Sequence, residues 1–122
     1  MNNRNLIYIA GPTAIGKTTI AIKLAKNLST EIISCDSRQF YNEMTIGTSP
    51  PSKKQMSIVK HHFIQDRSIK NPINVGAYQK ESVSKIDNIL DVNKNVILVG
   101  GSGLYADSIL FGLDNFPNTL RR

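Results

Sequence analysis

The sequence has little of what would tie it to several classes of protein. It contains no tryptophan, and its aromatic residues amount to 7% of 122. A single cysteine, Cys35, cannot close an internal disulfide, which excludes a disulfide-stapled scaffold and fits a reducing compartment. No apolar run approaches the ~20 residues of a membrane span. The five apolar residues before Gly11 are too few for a secretory leader, so the expected compartment is the cytoplasm. Acidic residues are also short, nine against fifteen Lys and Arg, for a net charge of +6. The deficit is local. Residues 1–70 carry ten basic and four acidic side chains, whereas residues 71–122 carry five of each. A basic half of this kind favours an anionic partner such as phosphate or nucleic acid, with a merely solvated basic face as the plainer alternative.

What is present suits one globular domain: 40% hydrophobic and 20% charged residues, with no internal repeat and no low-complexity segment. LIYIA (6–10), EIISC (31–35) and NVILV (95–99) are short apolar runs bounded by turn residues and read as buried strands, with HHFI (61–64) as a shorter candidate. Ile20, Leu24 and Leu28, with Ala21 and Ala25 beside them, form one helical stripe, leaving Lys23, Lys26 and Asn27 outside. Val75, Tyr78, Val83, Ile86, Ile89 and Leu90 predict a helix over residues 75–91, and LYADSILFGL another after the glycines of GGSG. TSPPS (48–52) reads as a loop, because adjacent prolines remove donors and fix φ. Strands alternating with helices imply an α/β fold, a parallel sheet flanked by helices with right-handed crossovers.

GPTAIGKT (11–18) satisfies G-x-x-x-x-G-K-[ST], with a strand before it and a helix after it. Glycines let backbone N–H groups converge on an anion, the helix N-terminus adds its dipole, and Lys17 adds a point charge. The Thr18 hydroxyl is placed to ligate Mg²⁺ on the same phosphates. The loop does not identify the reaction. A nucleotide hydrolase or kinase also wants a carboxylate ending a neighbouring strand, and NVILVGG offers none. EIISC does lead into one, Asp36, which on local grounds is a metal-side carboxylate, a base beside the phosphates, or a cap for the next turn. His61 and His62 are neighbours on a candidate strand, point to opposite faces and cannot easily share one ion. Cys35 reads as a small core residue. Tyr41, Tyr78 and Tyr105 read as packing aromatics, Tyr105 being the one placed to stack on a base.

GPTAIGKT (11–18), ISCDSRQFY (33–41), MTIGTSPP (44–51), HHFI (61–64) and VGGSGLY (99–105) stand in this order and at these spacings. Together they resemble the tRNA dimethylallyltransferases, the isopentenyl-diphosphate:tRNA transferases, from Gly11 to about Arg121. The resemblance implies a P-loop fold and transfer of a dimethylallyl group from dimethylallyl diphosphate to N6 of the adenosine next to the anticodon in tRNA. By that likeness Gly11, Pro12, Thr13, Ala14, Ile15, Gly16, Lys17 and Thr18 bind the diphosphate. Lys17 and Mg²⁺ stabilise its charge as it leaves, and Asp36 accepts a proton from N6. Asp36, Ser37, Arg38 and Gln39 match the segment that meets the target nucleotide, Ser102 a position that is usually threonine near the substrate, and Arg121 a basic residue that approaches tRNA.

Two departures accompany the likeness. The chain reads IGTSPP where the family usually reads IGTAKP, so a lysine after Thr48 is missing, with Lys53 and Lys54 nearby. Family members also run to more than twice this length. Residues 1–122 are therefore expected to be the N-terminal portion of the P-loop catalytic domain, without the helical tRNA-clasping domain and the C-terminal part, and weak or inactive alone. A P-loop nucleoside or nucleotide kinase and a non-catalytic diphosphate-binding remnant are the alternatives.

Overall fold

The structure, a computed structural model, describes residues 4–10, 16–44, 50–101, 103–112 and 118–121, the last four together with Gly112 by backbone alone. In chain order the elements are β1 (Asn5–Ala10), α1 (Lys17–Leu28), β2 (Ile32–Ser34), α2 (Lys53–Ile58), β3 (His61–His62), α3 (Val75–Val92), β4 (Asn95–Gly100), α4 (Leu104–Gly112) and β5 (Asn118–Arg121). The strands form one sheet in the order β3-β2-β4-β1-β5, and every pairing is parallel. β1 and β4 run side by side in register from Asn5 opposite Asn95 to Ala10 opposite Gly100.

Parallel strands are covered on both faces, and the near-continuous apolar reading of NLIYIA and NVILVG follows from that. Alternation then divides the core. Ile7, Ile9, Ile32 and Ile97 face α1 and meet Ala21, Ile22 and Ala25. Leu6, Tyr8, Ile33, Cys35, Val96 and Leu98 face the other way, toward Tyr78, Ile86 and Ile89 of α3 and Ile109 of α4. The α1 stripe is rotated from the expected one. Ala21, Ile22 and Ala25 are buried, Leu24 and Leu28 flank them, and Ile20 is 58% exposed. Small alanines at the centre of the stripe let α1 lie close to the sheet.

Caps set the helix ends. Gly16 precedes α1 at φ +102, a left-handed conformation that favours glycine, and Ser29 ends it at φ 53. Asn74 caps α3 by accepting from the Ala77 N–H at 2.8 Å. Ser52 and Gln55 form a reciprocal capping box on α2, a helix the sequence reading passed over. β3 is shorter than expected, because the chain leaves the extended conformation at Phe63 (φ 67) and again at Gln65 (φ 46). β5 was not expected as a strand.

Candidate active site

The C-terminal ends of β2 and β4 and the N-terminus of α1 converge on a cleft of about 260 Å³, the usual ligand position in an open α/β sheet. Gly16, Lys17, Thr18, Asp36 and Gln39 line it together. Their convergence follows from topology: Lys17 and Thr18 open α1, the element next after β1 in the chain, and Asp36 follows β2 two strands away. Ala21, Ile32, Ile64, Val99, Pro50 and Pro51 give the same cleft an apolar wall. Ser37 and Arg38 occupy the single 3-10 turn Ser37–Gln39 beside it and do not line it.

Asp36 caps that turn. Its Oδ1 accepts from the Arg38 N–H at 3.1 Å, and the Arg38 guanidinium lies 3.6 Å from the same oxygen. The Asp36 side chain is 17% exposed, that of Arg38 54%. The backbone N–H of Asp36 donates to Ser34 Oγ at 3.3 Å. Beneath it, Cys35 is buried and donates to the Val99 carbonyl at 3.4 Å. Burial pushes its thiol up to about 12, the Asp36 charge adding to this and the Lys17 charge opposing it. Cys35 is thus the inert core residue its setting in an apolar strand suggested.

Of the other expected residues, Gly11, Pro12, Thr13, Ala14, Ile15 and Ser102 lie outside the described residues. Arg121 is in β5, its backbone paired with Tyr8 of β1. Tyr105 does not serve as an open stacking platform: its ring packs against Phe40 and Tyr78 at 5.5 and 5.2 Å, and its hydroxyl donates to the Ile73 carbonyl.

The sequence reading missed Gln55, His61 and the two prolines as members of this cleft. The Ser52-x-x-Gln55 box was a visible signal for α2, but helix and box fix no position without the sheet. His61 was set aside as a metal ligand, and among the described residues no group of three or more His, Cys, Asp or Glu could hold a metal ion. Pairing decides its place instead. His61 stands opposite Ile32 and so shares the α1 face, while His62 turns the other way and meets Glu31 at 2.6 Å. The His61 Nδ1 donates to the Val59 carbonyl at 2.8 Å, which leaves Nε2 as an acceptor while the ring is neutral. Burial lowers its pKa, the Val59 carbonyl opposing and the His62 charge adding.

A family model for IPP transferases matches residues 39–122. The chain is 56% identical over 112 residues to the tRNA dimethylallyltransferase of Flavobacterium johnsoniae, covering 92% of this chain and 36% of that protein. It is 43% identical over 114 residues to the tRNA dimethylallyltransferase of Chlorobium phaeobacteroides, covering 93% and 36%. Among solved structures, the full-length tRNA isopentenylpyrophosphate transferase of Bacillus halodurans superposes with a TM-score of 0.80 at 33% identity, over 91% of this chain and 36% of the other. A eukaryotic dimethylallyltransferase acting on tRNA superposes with a TM-score of 0.78 at 28% identity, over 86% and 26%. The chain therefore spans little more than a third of the length of these curated relatives. A family model that matches more than half of its residues, with the same fold in solved members, makes the chain a member of the IPP transferase family.

Proposed function

We propose that the protein carrying this chain transfers a dimethylallyl group from dimethylallyl diphosphate to N6 of the adenosine next to the anticodon in tRNA, and that residues 1–122 are the N-terminal portion of its P-loop catalytic domain. The observation that carries the reading is one cleft lined by the first residues of α1, a carboxylate and an apolar wall. Residues 11–18 would grip the diphosphate and the apolar wall would hold its five-carbon chain. The N6 nitrogen attacks the allylic carbon, the carbon–oxygen bond to diphosphate breaks with its electron pair leaving on oxygen, and Asp36 takes the N6 proton. An aryl amine is a poor nucleophile, so a base acting during attack is apt. Lys17 would stabilise the charge that grows on the departing diphosphate.

The donor set fits Mg²⁺ rather than a caged metal. With no cluster of three ligating side chains among the described residues, the ion would be held mainly by the diphosphate, with the Thr18 hydroxyl on it. Bound there, it would neutralise diphosphate charge. Arg38, Gln39, Ser37, Ser102 and Arg121 are the proposed tRNA contacts, and the basic first half supplies the long-range attraction. Among the described residues no helix is long and apolar enough to cross a membrane, and a buried free thiol accords with the cytoplasm.

The kinase alternative is disfavoured by β4, the strand beside β1, which ends at Gly100 followed by Gly101 and supplies no carboxylate. The test is incubation of the full-length protein with labelled dimethylallyl diphosphate, Mg²⁺ and unmodified tRNA. Label entering tRNA at the adenosine supports transfer. ATP-dependent phosphorylation of a nucleoside, with no label in tRNA, would overturn it.

A further inference from the structure

The short segment that carries Asp36, Arg38 and Gln39 is gripped at both ends by one residue of α3. The Tyr78 hydroxyl donates to the Ser34 carbonyl at 2.7 Å, two residues before Asp36. The Tyr78 ring stacks on Phe40, one residue after Gln39, with centroids 5.1 Å apart and planes 19° apart. Both Tyr78 and Phe40 are fully buried, and Phe63 and Tyr105 close around them at 5.0 and 5.2 Å from Tyr78. The grip replaces sheet pairing that is not there. β3 stops at His62, and its register with β2 ends at Ile33, so on that side β2 has no strand neighbour at Ser34. Ser34 in turn holds the Asp36 N–H through its Oγ.

We infer that Tyr78 is a positioning residue for Asp36, fixing the carboxylate over the cleft through the Ser34 carbonyl at one end and Phe40 at the other. The inference rests on the proposed role of Asp36 as base. A base must sit within hydrogen-bond reach of the proton it takes, and small displacements of such a group are costly in rate but not in substrate affinity. Tyr78 is fully buried and does not line the cleft, so its removal should act on kcat and spare KM.

The experiment compares Tyr78→Phe with Tyr105→Phe in the full-length protein, using dimethylallyl diphosphate and unmodified tRNA. Each variant keeps its ring and deletes one hydroxyl from the same aromatic cluster, but the Tyr105 hydroxyl bonds the Ile73 carbonyl, away from Asp36. Tyr78→Phe should lower kcat about tenfold with KM for the diphosphate within about twofold of the parent. Tyr105→Phe should lower the melting temperature comparably and leave kcat alone. Unchanged kcat in Tyr78→Phe, or an equal fall in both variants, would overturn the inference. Asp36→Ala separates the two levels. If it is inactive while Tyr78→Phe is normal, only the positioning role fails; if Asp36→Ala keeps its rate, the base assignment fails and the positioning role with it.

Discussion

Gly100 ends β4 where β2 hands the chain to Asp36, and adding one methyl group there tests how tightly the site is built. A Cβ on Gly100 would overlap Cys35 Sγ and lie 3.1 Å from both the Asp36 nitrogen and the Cys35 carbonyl carbon. The sulfur is on a short, buried side chain tied to the Val99 carbonyl, and the other two atoms are backbone, so none of them can swing aside freely. Overpacking of this kind costs about 1–3 kcal/mol. For a full-length protein of its relatives' size, more than twice the length of this chain, that is roughly 2–4 °C of melting temperature per kcal/mol. The strain should also reach catalysis, because the least costly relief is to push the Asp36 peptide away from β4. Gly100→Ala is therefore expected to melt several degrees low and to turn over at least about tenfold more slowly in the full-length protein. Removing the sulfur relieves only the worst contact. Cys35→Ala/Gly100→Ala should thus be more stable than the sum of the single changes by about 1 kcal/mol, yet remain slow, since both backbone contacts persist. Melting curves and initial rates of the three variants decide it. A Gly100→Ala protein as stable and as fast as the parent, or a double variant whose effects simply add, would refute the reasoning.

Two further outcomes follow from the same cleft. Lys17→Ala should raise the dissociation constant for dimethylallyl diphosphate by about tenfold or more and abolish turnover, read by titration calorimetry and label transfer; unchanged affinity would remove Lys17 from the grip. His61, its pKa lowered by burial below the ordinary 6.5, contributes its full share of stability above that pH and loses it as pH falls through the folded value, because the unfolded chain takes the proton first. Urea midpoints should accordingly fall more between about pH 7 and 5 for the parent than for His61→Gln, and parallel curves would contradict the assignment.

The sheet was legible from sequence because its strands are buried on both faces: β1 and β4 are almost wholly apolar, β2 is apolar but for Ser34, and α3 follows its apolar spacing to within one residue. α2 was not, because none of its residues is buried, so it carries no periodicity, and its signal is only the Ser52–Gln55 box. The misplaced stripe of α1 has a similar cause. Ile20 weighs heavily in a hydrophobic pattern, but α1 approaches the sheet through alanines and leaves Ile20 out. Of the site, Lys17, Thr18 and Asp36 were visible because motif and strand end mark them. His61 was not, because only the β2–β3 register puts it on the α1 face opposite Ile32. Gly100 and Tyr78 act through contacts with residues 65 and 44 positions away, Cys35 and Ser34, which no local pattern encodes.

Of the three roles the sequence leaves open for Asp36, the cap is observed, and the geometry is compatible with the proposed base as well. Its Oδ1 is committed to the 3-10 turn, accepting from the Arg38 N–H at 3.1 Å with the Arg38 guanidinium 3.6 Å away. The cap holds the carboxyl group beside the cleft that Asp36 lines. The two roles separate on substitution. Asparagine keeps an oxygen for the cap but cannot take a proton, whereas alanine loses both. Asp36→Asn should therefore melt close to the parent, and Asp36→Ala lower by the cost of a lost cap, about 0.5–2 kcal/mol. Both should lose about 10²-fold or more in kcat with diphosphate affinity nearly intact, the usual scale for a missing base. The decisive measurement is turnover of Asp36→Asn beside its unfolding curve. Near-parental turnover would reduce Asp36 to a cap. A sharp loss of diphosphate affinity with a shifted Mg²⁺ dependence would make it a metal-side carboxylate, and the proton would then need another acceptor.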